Sequence, residues 1–186
     1  CPDWRMTMTG SLPLYIYVDG SCEENRDVTA ATPAGWGFCV VSGDNGVGRG
    51  RGEVVFERSG VVVTDEDAES YLGAEIGSNN TAELSAVAQA MRWLLAEGGS
   101  QAVVIRGDSQ YALNIASAVW RAKANRGLAL SAQALWDEVA SLRSLTPEHV
   151  RAHRGHRWNE RADHLAFRAM QGEDALPLQF WKPGRR

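Results

Sequence analysis

The chain has 186 residues, 44% of them hydrophobic, and a formal net charge of −4 at pH 7, enough for one domain with a sizeable core. Cys1, Cys22 and Cys39 are odd in number and lack metal-ligand spacing. They neither suggest a disulfide framework nor resemble a zinc site, and they point to a reducing, intracellular location. No run is long and apolar enough to span a bilayer, and no signal-peptide pattern opens the chain. The acidic balance gives no global sign of a nucleic-acid partner but does not exclude one, because local patches set the field a polyanion meets.

In chain order, residues 1–13 read as a tail, 14–172 as the domain and 173–186 as a second tail. A start at Cys1 in place of Met suggests a piece cut from a longer chain. Leu14–Val18 (LYIYV) is apolar on both alternating faces, as in a strand buried within a sheet. Gly35–Val41 reads as a second strand, 42–50 as a glycine-rich turn, and 52–63 as two short strands around Ser59-Gly60. An acidic turn at 64–70 precedes a further short strand at YLGAEI (71–76). Residues 78–99 give the clearest helix, with Ser78, Asn79 and Asn80 as capping oxygens and Gly98-Gly99 as its stop. A buried strand at 102–105 is followed by helices at 109–118 and 131–145, a short strand at 149–152, and a last helix at 159–170 capped by Asn159. Strands first and helices later favour an α/β fold, a mixed sheet with helices packed on it.

Four carboxylates stand at particular places in this order. Asp19 follows YIYV and Asp108 follows AVVIRG, both at strand ends, where α/β folds gather ligand groups on rigid scaffold. Each also suits a turn or a cap. Asp108 belongs to Arg106-Gly107-Asp108-Ser109, a tetrapeptide that on an exposed loop would suggest an adhesion ligand. Glu83 lies at the edge of an apolar helical stripe and Asp163 near the start of the last helix; for both, the plain alternative is a first-turn acid favoured by the helix dipole. If all four converge, they repel: two carboxylates 4 Å apart cost about 4 kcal/mol at an effective dielectric of about 20. Two hard divalent cations would neutralise them and suit in-line phosphodiester displacement. Spacing alone does not show convergence.

The motifs YVDGSC (17–22), NNTAEL (79–84), GDSQYAL (107–113) and HRGHRWNERADHLA (153–166), in this order, closely resemble type 1 ribonuclease H over about Tyr15 to Met170. Each is modest alone; four in series, each with its carboxylate, are specific. The resemblance implies a five-stranded mixed sheet flanked by helices. It also implies endonucleolytic cleavage of the RNA strand of an RNA–DNA hybrid with two Mg²⁺ ions, for which Mn²⁺ can substitute. Asp19, Glu83, Asp108 and Asp163 would be the metal-binding catalytic carboxylates, with Asp19 bridging both metals. His153 would be the loop histidine that assists the water or product departure, and His156 the second histidine of that motif. An imidazolium beside two cations is disfavoured, so a neutral His153 could move a proton. By the same resemblance Gly20, Ser21, Cys22, Asn79, Asn80, Ser109 and Gln110 would contact the hybrid, whose shallow minor groove displays the 2′-hydroxyls. Caps and turns are alternative roles for them.

Two stretches depart from the family pattern. Residues 42–78 form a long hairpin and loop insertion carrying Asp65, Glu66, Asp67 and Glu69. The basic, tryptophan-bearing protrusion looks shortened to 119–130, keeping Trp120, Arg121, Lys123 and Arg126. Those cations suit a phosphate grip, aided by Arg151, Arg154, Arg157 and Arg161; Trp120 packed in a core beside a solvated helix end is the alternative. The motifs are also similar to ribonuclease H domains joined to reverse transcriptases in retroelements, so a reverse transcriptase domain is a candidate partner. The rival functions are a tethering module on the same fold and another nuclease of the wider superfamily.

Overall fold

The apolar run at 14–18 becomes the centre of a sheet. The computed structural model describes residues 12–24, 26–152, 154–184 and 186; Cys1 and most of the 1–13 tail lie outside them. The strands are β1 (Leu14–Cys22), β2 (Ala34–Ser42), β3 (Glu53–Val61), β4 (Val103–Gly107) and β5 (Leu145–His149). The helices are α1 (Asn79–Glu97), α2 (Gln110–Ala116), α3 (Arg126–Leu142) and α4 (Arg157–Gln171), followed by a 3₁₀ turn at Leu178–Phe180. The sheet order is β3-β2-β1-β4-β5. β1 is antiparallel to β2, and β2 to β3, while β4 is parallel to both β1 and β5.

Side-chain alternation divides β1 between two cores. Leu14, Ile16 and Val18 pack with Leu84, Val87, Met91 and Leu128 of α1 and α3, whereas Tyr15 and Tyr17 pack with Trp158, Ala162 and Leu165 of α4. The sheet is therefore covered on both faces, which is why LYIYV carries no polar side. α4 lies close on β2 because Gly37 has no side chain: a Cβ there would meet Leu165 Cβ at 2.7 Å and Ala166 N at 2.8 Å.

Several elements differ from the sequence-based expectation. β1 continues through Cys22, so Asp19 lies within it, opposite Gly37 of β2. Residues 53–61 are one strand, without a turn at Ser59-Gly60, because Gly60 pairs in register with Trp36 and lies under its ring. YLGAEI is not a strand. Gly73 turns the chain at φ 113°, and a Cβ on it would meet Gly127 C at 2.5 Å. α3 begins at Arg126, not at 131, and the last strand is 145–149, not 149–152. Pro147 masked that strand; it is tolerated because β5 is an edge strand. α4 begins at Arg157 and is capped by His156, whose Nδ1 accepts from the Asn159 N–H at 3.4 Å; Asn159 is not the cap.

Candidate active site

Three elements deliver three carboxylates to one point. Asp19 comes from β1, Glu83 from the first turns of α1, and Asp108 from the residue after β4. Each offers an oxygen within 4.8 Å of the others. Gly20 permits this. A Cβ there would meet Glu83 N at 2.4 Å and Ala82 C at 2.5 Å, both backbone atoms, so only glycine lets α1 approach the strand so closely. α1 starts where it does because the Ser78 side chain accepts from Thr81 N, and Thr81 Oγ1 accepts from Ser78 N at 2.8 Å. Asp108 is placed by the rigid end of β4, and its carbonyl lies 3.1 Å from His149 Nε2 of β5.

Asp19 and Glu83 are buried, 4% and 6% exposed. Burial first, and then the charge of Asp108, pushes the Asp19 carboxyl well above the usual carboxylate range. Burial first, and then the charge of Asp19, does the same to Glu83. Glu83 Oε2 is buried without a hydrogen-bond partner. A buried oxygen with no donor, beside two further carboxylates, fits a hard divalent cation in chemistry and in number of ligands. Asp19, Glu83 and Asp108 are the residues that would hold it.

Asp163 lines the same cleft as Asp19, Asp108 and Asn159 but is not part of the tight trio. Its carboxylate accepts from Arg186 Nε at 3.0 Å and from Arg186 Nη2 at 2.9 Å. His153 lies outside the described residues. His156 is a buried cap facing Tyr17 and Arg106, at Nε2 distances of 3.3 Å and 3.4 Å. Burial, and then the Arg106 charge, holds its imidazole below the usual histidine value.

The expected hybrid contacts fall into two groups. Ser21 is buried, with its hydroxyl 3.6 Å from Met170 Sδ; Ser109 caps α2 through Ala112 N, and Cys22 Sγ lies 3.5 Å from the Gly77 carbonyl. By contrast Asn79 and Gln110 are exposed. Asn80, Trp120, Arg121 and Lys123 line one groove of about 540 Å³ with Tyr111. Trp120 is 46% exposed, so it is not a core residue. Arg161 differs from its expected place in a basic surface cluster: it is 1% exposed and forked onto Glu57 of β3 at 2.9 Å. Nor is the adhesion tetrapeptide displayed. Arg106 is tied to Glu148 at 3.0 Å and donates to Tyr17 Oη at 3.1 Å, with Gly107 buried.

Sequence reasoning did not place Asn159 or Arg186 in the cleft. Asn159, read as a cap, has a buried Oδ1 without a partner; its place one turn before Asp163 was the available signal. Arg186 gave no signal, because only the fold brings it to Asp163.

Comparison with known proteins gives the family and the fold. The RNase H family model matches residues 12–171. The ribonuclease H of Anaplasma marginale is 29% identical over 181 residues, covering 92% of this chain and 99% of that protein. The ribonuclease H of Cupriavidus metallidurans is 32% identical over 165 residues, covering 83% and 93%. Among solved structures, RNase H1 of the archaeon Halobacterium salinarum superposes with a TM-score of 0.60 at 25% identity, over 86% of this chain and 98% of that one. LC11-RNase H1, solved in complex with an RNA/DNA hybrid, shares the fold with a TM-score of 0.60 at 21% identity, over 86% and 97%. The chain belongs to the RNase H family.

Proposed function

We propose that this protein is a metal-dependent endoribonuclease that hydrolyses the RNA strand of RNA–DNA hybrids. One observation carries the reading. Asp19, Glu83 and Asp108 arrive from three separate elements, at the family's motif positions, with oxygens within 4.8 Å of one another. A fold does not assemble three mutually repelling carboxylates, two of them buried, for stability. Tethering alone would not require them.

Asp19, Glu83 and Asp108 would hold one divalent cation, and Asp163 would complete the site for a second. When bound, such ions activate a water and stabilise the leaving oxygen of an in-line displacement. Mg²⁺ suits an all-oxygen donor set, and Mn²⁺ suits it as well. The chain's own groups do the rest. Asp19 within β1 and Asp108 at the end of β4 are fixed by the sheet, and Gly20 keeps α1 close enough for Glu83 to reach them. His153, four residues before α4 in the sequence, would take or return a proton at the departing product. Gly20, Ser21, Cys22, Asn79, Asn80, Ser109 and Gln110 would follow the minor groove. Trp120, Arg121 and Lys123 would hold the backbone further along, where cations act through phosphates. The family's bacterial members and the absence of a membrane-spanning helix among the described residues are compatible with an intracellular enzyme.

A matched set of labelled RNA–DNA, RNA–RNA and DNA–DNA duplexes tests the substrate class. His153→Ala tests the proton role: turnover should fall by about 10²-fold or more while hybrid affinity changes little. Equal losses in both would assign His153 to binding instead.

A further inference from the structure

The acidic cleft is lined by a cation from a distant part of the chain. Arg186 lies against Asp163, and its two-point fork engages both carboxylate oxygens, at 2.9 and 3.0 Å. Its guanidinium also lies over the Phe167 ring, 4.7 Å from the centroid. The segment that carries it is anchored on α4. Trp181 is only 5% exposed, with the Arg161 guanidinium 5.2 Å above its ring. Arg161 Nη1 donates to the Leu176 carbonyl at 2.8 Å, and Leu176 N–H donates to His164 Nε2 at 2.9 Å. Leu176 and Trp181, in the stretch that read as a tail, are therefore held on α4, and Arg186 lies at the cleft.

We propose that Arg186 is a built-in counter-ion for Asp163, and that a divalent cation using this carboxylate must displace it. The inference rests on the reading of Asp163 as a ligand of the second cation. A forked guanidinium uses the oxygens that a metal would need, and two cations on one carboxylate repel each other. Arg186 forks onto Asp163, so its competition falls on the cation that uses that carboxylate. The two sites thereby acquire different affinities, and the Arg186–Asp163 pair sets the gap. The pair is half open to water, with the Arg186 side chain 50% exposed. It is thus a displaceable competitor whose strength is that of a surface pair.

Mn²⁺ alone is the probe, with free ion counted by electron paramagnetic resonance and heats by calorimetry, without substrate. The wild type should show a tighter and a weaker site. Arg186→Gln should tighten the weaker site by about two- to tenfold and leave the tighter one unchanged, and the gain should shrink as salt screens the pair. Trp181→Ala, which loosens the anchor, should shift the weaker site in the same direction by less. An unchanged or weakened second site in Arg186→Gln would overturn the proposal. If Asp108→Asn still abolishes tight binding in that case, the metal reading stands and only the role of Arg186 is lost. If folded wild type and Arg186→Gln both bind no Mn²⁺, the metal site and the competition fall together.

Discussion

Asp19 and Glu83 occupy a dry corner in which both cannot be charged without cost. Burial and mutual repulsion raise both carboxyls in the metal-free protein. On the proposed metal reading, function here opposes stability. Asp108→Asn removes one of three like charges, so the metal-free variant should melt higher than the wild type, by about 2–4 °C if 1 kcal/mol of repulsion is relieved. It should also lose the rise in Tm that Mn²⁺ gives the wild type. Paired melting curves with and without Mn²⁺ check both statements. A lower metal-free Tm would mean that Asp108 is a structural residue.

His156 makes a second residue-scale case. Its ring caps α4 and faces Tyr17, Arg106 and Asp44, and burial lowers its pKa from 6.5. The folded state therefore binds fewer protons than the unfolded state below that value. This contribution to stability is present above pH 6.5 and is lost as pH falls through 6.5 toward the lower folded value. His156→Asn keeps a capping oxygen without a titrating ring. The wild type should lose more stability than this variant between about pH 7 and pH 5.5 in matched urea titrations. Parallel curves would show that the ring does not titrate on folding.

At the scale of elements, the site depends on how closely α1 approaches β1. Gly20→Ala would drive a methyl group into the backbone of Ala82 and Glu83. We expect it to cost about 1–3 kcal/mol of stability. Cleavage should fall further than that cost explains, because Glu83 moves away from Asp19. Comparing kcat well below the variant's Tm separates the two effects. Glu57→Gln is the contrasting case: it leaves Arg161 buried with a weaker partner, so stability falls with little change in kcat. The elements were legible where periodicity and caps agreed, as in LYIYV and in the Ser78-capped α1. They were misread where tertiary contact overrode a local signal. Gly60 resembles a turn residue until Trp36 covers it. Pro147 argues against a strand unless the strand is known to be at an edge. YLGAEI alternates like a strand but packs by its backbone against α3.

At the scale of the whole molecule, the acidic protein must hold a polyanion, so grip has to come from one local surface. Trp120, Arg121 and Lys123 share a groove with Asn80, whose helix also carries Glu83. Arg121→Ala with Lys123→Ala should weaken hybrid binding uniformly across sequences. It should lower the salt dependence by about one counterion for each phosphate no longer neutralised. Filter binding over a salt series reads both, and an unchanged slope would place the grip elsewhere. The meeting of Asp19, Glu83 and Asp108 was legible because motif residues carry their chemistry in their identity. Trp120, Arg121 and Lys123, by contrast, were singled out only by charge and aromatic character in a stretch that departs from the motifs. Arg186 was not legible, since no spacing along the chain relates position 186 to position 163.

The most direct measurement is cleavage of a labelled RNA–DNA hybrid beside matched RNA–RNA and DNA–DNA duplexes, in Mg²⁺, Mn²⁺ or EDTA, with Asp108→Asn as control. Cutting confined to the RNA strand of the hybrid, absent in EDTA and absent in Asp108→Asn, is the expected result. An intact hybrid in every lane, from protein shown to be folded and to bind the hybrid, would contradict the account and leave the fold as a tethering module.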